Sequence, residues 1–291
     1  MMMHELPARP PGAAIRNAMT CDVEDYFQVS AFAPHIDRAS WPERECRVEA
    51  NIDRILALMA DNGVHGTFFT LGWIAERYPQ LVRRIVAGGH ELASHGYGHL
   101  RASDQDRAEF TDDIVRAKAL LEDIGGVRVR GYRAPSFSIG PANLWALDAL
   151  KEAGYDYSSS IYPIKHDHYG MPDAPRFAFY PNGPDGLLEV PVTTVRIMER
   201  NLPAGGGGYF RLLPYALSRW MMNRVNQADG QPAIFYFHPW ELDPGQPRPE
   251  GVDAKSRFRH YVNLERMEGR IRALARDFEW DRMDRIFLGI Q

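Results

Sequence analysis

GTFFTLGWIAERYPQLVRRIVAGGHELASHGYGH, residues 66–99, holds three structural signals in order. Residues 66–72 form a short apolar run, Thr-Phe-Phe-Thr-Leu between glycines, of the kind that makes a buried strand. A helical face follows through Leu81, Val82 and Ile85, and Gly88-Gly89 stop it. HELAS, residues 90–94, then reads as a second strand. A strand, a helix and another strand on short connections argue for parallel α/β architecture.

The rest of the chain repeats that alternation. Upstream, IRNAMTCDVEDYF (15–27) leads to a helix over 48–64, with Val48, Ile52, Ile55, Leu56 and Met59 on one face and Asn62-Gly63 at its end. Downstream come a helix over about 104–124 capped by Ser103, a strand at VRVRGYRAP, and a helix opened by Pro141. A strand near YDYSS and further strands at LLEVPVTTV and PAIFYFH complete the series. Between the last two lie the glycine run AGGGGYFRLLPY and the helix PYALSRWMMNRVNQ, and a terminal amphipathic helix covers 255–277. No fixed-period repeat occurs. In parallel barrels the chemistry gathers at the C-terminal ends of strands, so those ends are where to look.

Composition excludes several classes. The 291 residues are 45% hydrophobic and 25% charged, ordinary globular material. A net charge of −4 gives no electrostatic reason to expect nucleic acid as a partner. Residues 1–14 read as a loose N-terminal tail and 15–291 as a single domain. No run is apolar enough for a signal peptide core or a membrane span. Cys21 and Cys46 make no disulfide framework. The expectation is a cytoplasmic protein with reduced thiols.

Three histidines stand in GGHELASHGYGH. A helical zinc protease needs HExxH, and here the interval from His90 to His95 is one residue too long. His90 therefore reads as structural. His95 and His99 are spaced to converge on one ion, with Gly96 and Gly98 permitting a tight backbone, although ten histidines can yield such a pair by chance. A hydrolytic metal site takes three protein ligands and an open position. In CDVEDYF, Asp22 and Glu24 point the same way on an extended backbone and could supply the missing oxygen. Arg133 in GYRAPSF, Asp156 in YDYSSS and His238 in IFYFHPWE also sit near strand ends. Singly these have bland readings: an ion pair, a turn residue, a core histidine. Together they suggest a catalytic set.

At this point the sequence resembles the polysaccharide deacetylases of the NodB-homology class, carbohydrate esterase family 4, from about Ala18 to His238. Residues 66–99 carry the resemblance most specifically. CDVEDYFQVSAF and GGGGYFRLLPYALSRW further resemble a subgroup associated with bacterial exopolysaccharide biosynthesis loci, with its own C-terminal segment from about Gly205.

The resemblance implies a distorted (β/α) barrel of fewer than eight strands and a divalent metal, expected to be Zn2+. It implies removal of N-acetyl groups from an N-acetylated oligo- or polysaccharide. His95 and His99 match the metal histidines, Asp22 the base, Arg133 the residue orienting it, and His238 the general acid. Asp156 would keep His238 charged. The first motif reads Asp22-Val23-Glu24-Asp25 rather than paired aspartates, so Glu24 is taken as the third ligand by side-chain direction, with Asp25 as the alternative. Pro135, Ser136, Phe237 (with Phe235), Tyr209 and Arg211 are expected near substrate. Two other readings stay open: a metal-dependent hydrolase of cyclic amides or ureides, and a non-catalytic carbohydrate binder.

Overall fold

The computed structural model describes residues 4–8, 14–166 and 170–290. Its strands are β1 (His4–Glu5), β2 (Asn17–Val23), β3 (Thr67–Thr70), β4 (Glu91–Ser94), β5 (Gly131–Tyr132) and β6 (Tyr157–Ser158). They continue as β7 (Phe179–Tyr180), β8 (Leu188–Glu189), β9 (Thr194–Ile197), β10 (Arg200–Pro203), β11 (Ile234–Phe237) and β12 (Trp280–Asp281). The helices are α1 (Val48–Asp61), α2 (Gly72–Arg77), α3 (Pro79–Ala87), α4 (Arg107–Gly125) and α5 (Trp145–Glu152). After them come α6 (Gly207–Leu212), α7 (Tyr215–Gln227), α8 (Ala254–Tyr261), α9 (Met267–Asp277) and α10 (Met283–Leu288).

The wall runs β11-β2-β3-β4-β5-β6-β8, all neighbours parallel, and β7 and β1 extend it antiparallel. Helices on the connections cover its outer face, as parallel pairing requires. Among the described residues no ladder joins β8 to β11. Two bonds cross that seam instead: Ile234 N–H donates to Thr193 Oγ1 (2.6 Å), and Tyr236 N–H to the Gly205 carbonyl (2.7 Å). Gly206 is needed there, because its φ is +118° and a Cβ would lie 2.1 Å from the Tyr236 carbonyl oxygen. The result is the expected α/β architecture, a central parallel sheet with an irregular seam, to which β12 adds a further parallel pairing at Asn17 and Ala18 of β2.

Alternation along the strands divides the core. Met19, Cys21 and Val23 of β2 and Phe235 and Phe237 of β11 face outward, against Val48, Ile52, Ile55 and Met59 of α1. Residues 26–43 carry three 3-10 turns in place of a long helix. There Tyr26, Phe27, Phe32, Ile36 and Trp41 pack against Trp240, Val252 and Leu264, beside the C-terminal ends of β2 and β11.

Several element boundaries depart from the sequence reading. His4–Glu5 pair with Phe179 and Tyr180, and Leu6 joins a core cluster, so these residues are not a loose tail; residues 9–13 lie outside the described ones. The long helix begins at Arg107, because Asp106 and Glu109 form a capping box that Ser103 cannot offer. The Pro141 segment stays a turn, and its helix starts at Trp145. LLEVPVTTV splits into β8 and β9, and β9 turns back on β10 as a hairpin. Residues 207–212 of the glycine run are helical. The terminal helix breaks into α8 and α9 at Asn263, whose φ is +53°.

Candidate active site

Asp22, Glu24, His95, His99, Arg133 and His238 meet at the C-terminal ends of β2, β4, β5 and β11. Strand parity brings in the first two. Asp22 Oδ2 and Glu24 Oε1 lie 4.0 and 3.7 Å from His238 Nε2. Asp25 points the other way, accepting from the N–H groups of Tyr26 (2.8 Å), Arg47 (2.6 Å) and Val48 (2.9 Å) and from the Cys46 thiol. It therefore ties the 26–47 segment to α1 and does not serve as the alternative ligand.

Glu24, His95 and His99 present ligand atoms all within 4.8 Å of one another. His99 Nε2 lies 2.6 Å from Glu24 Oε2, and both side chains are buried. His95 Nδ1 donates to the Arg133 carbonyl (2.8 Å), which leaves its Nε2 as a lone-pair donor. Burial pushes His95 down to about 4, so the ring is neutral at ordinary pH. Burial would raise Glu24, but His99 beside it prevails and holds the carboxyl at about 2. One carboxylate and two imidazoles whose ligand atoms converge in this way are a donor set that fits a hydrolytic divalent ion. Asp113 of α4 steadies the loop by accepting the Tyr97 N–H (2.9 Å). Gly96, at φ +74°, leaves room for that carboxylate, which a Cβ would meet at 2.7 Å.

Arg133 is fully buried and spends its donors on the base and its frame. Nη1 donates to Asp22 Oδ1 and Thr20 Oγ1 (both 2.7 Å), and Nη2 and Nε donate to Ser159 Oγ (3.0 Å) and its carbonyl (3.2 Å). Ser160 Oγ in turn accepts the Ala134 N–H, and Glu189 Oε1 accepts the N–H groups of Ser160 and Ile161 (both 2.8 Å). Burial pushes Glu189 up from 4.5 to about 7. A carboxyl raised on folding stabilises most below its unfolded value, and that stability is lost as pH rises through its folded one. Glu189→Gln should accordingly gain melting temperature relative to the native chain on moving from about pH 5 to about pH 8. Paired melts at the two pH values check this; a constant difference contradicts it.

His238 has a partner that sequence reading did not find. Its Nδ1 lies 2.7 Å from Glu241 Oε1, and Arg211 Nε donates to Glu241 Oε2 (2.7 Å). Burial would depress His238, but the carboxylates of Glu241, Glu24 and Asp22 prevail and raise it to about 9. Asp156, expected in this role, precedes β6 and so sits at the opposite end of the sheet. It is held there by Arg128 (2.6 Å) and Arg130 (2.7 Å). Arg211, expected near substrate, is buried and committed to Glu241 and the carbonyls of Arg259, His260 and Val262.

Parity also corrects the apolar wall. Phe235 and Phe237 belong to the outer core, whereas Tyr236 shares the His238 face, with ring centroids 5.8 Å apart. Tyr236 clusters with Phe137, Tyr162, Ile164 and Val192. Pro135 is buried in the turn beside Arg133, and Ser136 adopts a left-handed φ of +56° with its Oγ 2.6 Å from Ser30 Oγ. Tyr209 is half exposed and lines a separate surface cavity of about 1230 Å³ with Lys165, Arg176 and the β9–β10 hairpin. His90 is structural, its Nδ1 accepting the Gly66 N–H (3.1 Å).

Comparisons with known proteins bear on the family and the fold. Residues 41–158 match the polysaccharide deacetylase family model, and residues 159–288 match a domain of unknown function, DUF3473. The segment expected to begin near Gly205 lies within that second match. A chitooligosaccharide deacetylase of Sinorhizobium fredii is 34% identical over 97 residues, covering 33% of this chain and 42% of the relative. The chain spans less than half the length of the curated relatives it matches, from 30% to 46%. By fold it is similar to a Mycobacterium smegmatis protein described as a candidate polysaccharide deacetylase (TM-score 0.63, 20% identity, 98% and 93% of the two chains). It is also similar to an allantoinase (TM-score 0.61, 17% identity, 97% and 92%).

Proposed function

We propose that this chain, whose residues 41–158 match the polysaccharide deacetylase family model, hydrolyses N-acetyl groups on an N-acetylhexosamine-containing polysaccharide or its precursor, using zinc. Glu24, His95 and His99 would hold the ion. The observation that carries this reading is the placement of Asp22 and His238 beside that ligand cluster, each locked by its own buried partner. A binding module has no need of a carboxylate held by Arg133 or an imidazole held by Glu241, which counts against the non-catalytic reading. The exopolysaccharide setting is proposed from the resemblance of the first motif and the glycine run to that subgroup. One functional unit over residues 15–291 is proposed too, supported by site residues drawn from both matched segments.

Zinc bound at this cluster supplies a Lewis acid for the amide carbonyl. The chain's residues handle the protons. Asp22 Oδ1 is engaged by Arg133, which leaves Oδ2 to accept a proton from the attacking water. His238 presents Nε2 to the same space while Glu241 holds Nδ1, so Nε2 donates to the departing amine nitrogen. Of the turn donors in 134–137, the Ala134 and Phe137 N–H groups are committed to Ser160 Oγ and the Ala134 carbonyl.

The test is acetate release from N-acetylglucosamine oligomers by chelator-treated protein, before and after zinc is restored. Release only with zinc is expected. No release from any oligomer by zinc-loaded protein would end the deacetylase reading. One observation favours a second reading: Asp22, Glu24, His95 and His99 are all at most 5% exposed, which suits a small substrate. A cyclic ureide belongs in the same panel for that reason.

A further inference from the structure

Glu24 is a long ligand. A glutamate side chain has one more rotatable bond than aspartate, and its carboxylate wanders unless something fixes it. Only one of its oxygens faces His99. The other, Oε1, accepts a hydrogen bond from Trp240 Nε1 (3.1 Å). Trp240 is buried and cannot swing away. Its ring is sandwiched between His238 (centroids 5.1 Å, planes 19° apart) and His260 of α8 (4.1 Å, 14°). The Arg211 guanidinium lies 5.2 Å from the same ring.

The outer end of this stack is braced in turn. His260 Nε2 meets Gln246 Oε1 (2.7 Å), and Gln246 Nε2 donates back to the Trp240 carbonyl (2.7 Å) and the Asp243 carbonyl (2.8 Å). Phe32 supports the far side of His260 at 4.5 Å. Burial holds His260 well below its ordinary range, so the ring is a neutral wall rather than a cation. Every element of the brace except Phe32 lies in residues 159–288, the segment that matches a domain of unknown function.

We propose that Trp240 is a positioning residue for the metal carboxylate, fixing Glu24 Oε1 so that Oε2 points at the ion, and that this is one role of the C-terminal segment. The inference rests on the proposed metal site. Trp240 is not one of the three candidate ligands; its indole N–H acts through Glu24. It follows that metal affinity depends on how the C-terminal segment packs, over and above the three ligands.

Trp240→Phe keeps an aromatic ring in the stack and removes the N–H. Zinc affinity, read by competition with a chromophoric chelator, should fall about tenfold, the low end for losing such a partner, with the melting temperature of the metal-free protein little changed. Unchanged affinity overturns the proposal. If the variant does not fold, the native chain still decides. Its six indole N–H signals can be followed by 1H–15N NMR during a zinc titration. A signal that moves with the dissociation constant read by the chelator, and that broadens when a paramagnetic divalent ion replaces zinc, supports the proposal. Six unmoved signals overturn it. Native protein that binds no zinc at all would instead fail the proposed function, an outcome the two readouts separate.

Discussion

Asp22→Asn is expected to lower kcat for acetate release by about a thousandfold, within the range for losing a positioned general base. KM and zinc affinity should change little. The argument is geometric. The introduced amide would keep an oxygen facing Arg133 Nη1, which also holds Thr20, so the frame built on Ser159 stays intact. What disappears is the only group at Oδ2 able to take a proton, while Glu24, 3.7 Å from His238 on the other side, is engaged by Trp240 and His99. Steady-state kinetics on zinc-loaded protein, beside a chelator competition, separates the two effects. A variant retaining a tenth of native kcat would remove Asp22 from the base role.

Arg133→Met is expected to cost about 3–5 kcal/mol of folding stability, since it breaks a fully buried ion pair from one side. The carboxylate of Asp22 would stay buried without its cation, and Ser159 would lose two donors. For a chain of this size such a loss lowers the melting temperature by about 10 °C. Adding Asp22→Asn to Arg133→Met should recover part of it, because the orphaned charge is then removed as well. Calorimetry on the single and double variants gives the comparison. A single variant that melts like the native chain would mean the pair is solvated and the buried frame is wrong.

The candidate metal cluster and the carboxylate beside it were legible because their residues are close in sequence or joined by strand parity: His95 and His99 by spacing, Asp22 and Glu24 by alternation. The parallel sheet was legible for a related reason, since each strand–helix–strand unit is local. Misreadings arose where direction along a strand mattered. Asp156 precedes β6 rather than following it, and Phe237 has the wrong parity to share the His238 face. Both could have been caught by counting from the strand's polarity. Glu241 could have been caught as well, three residues past His238 at the opening of a turn, where a capping carboxylate reaches back. The Trp240–His260 stack could not. It depends on two segments separated by a loop, and neither spacing nor composition records that contact.

The position of β2 in the wall bears on the order in which the molecule assembles. It pairs with β3 on one side, about fifty residues later, and with β11 on the other, more than two hundred residues later. A chain emerging from the ribosome therefore holds Glu24, His95 and His99 long before His238 exists. For that interval β2 has an open edge, an exposed template for pairing with other chains. The late, distant closure of β2 by β11 is the high-separation contact that slows folding in such topologies. On this ordering the three candidate ligands are synthesised early, and the proposed hydrolytic set is complete only once β11 has paired with β2.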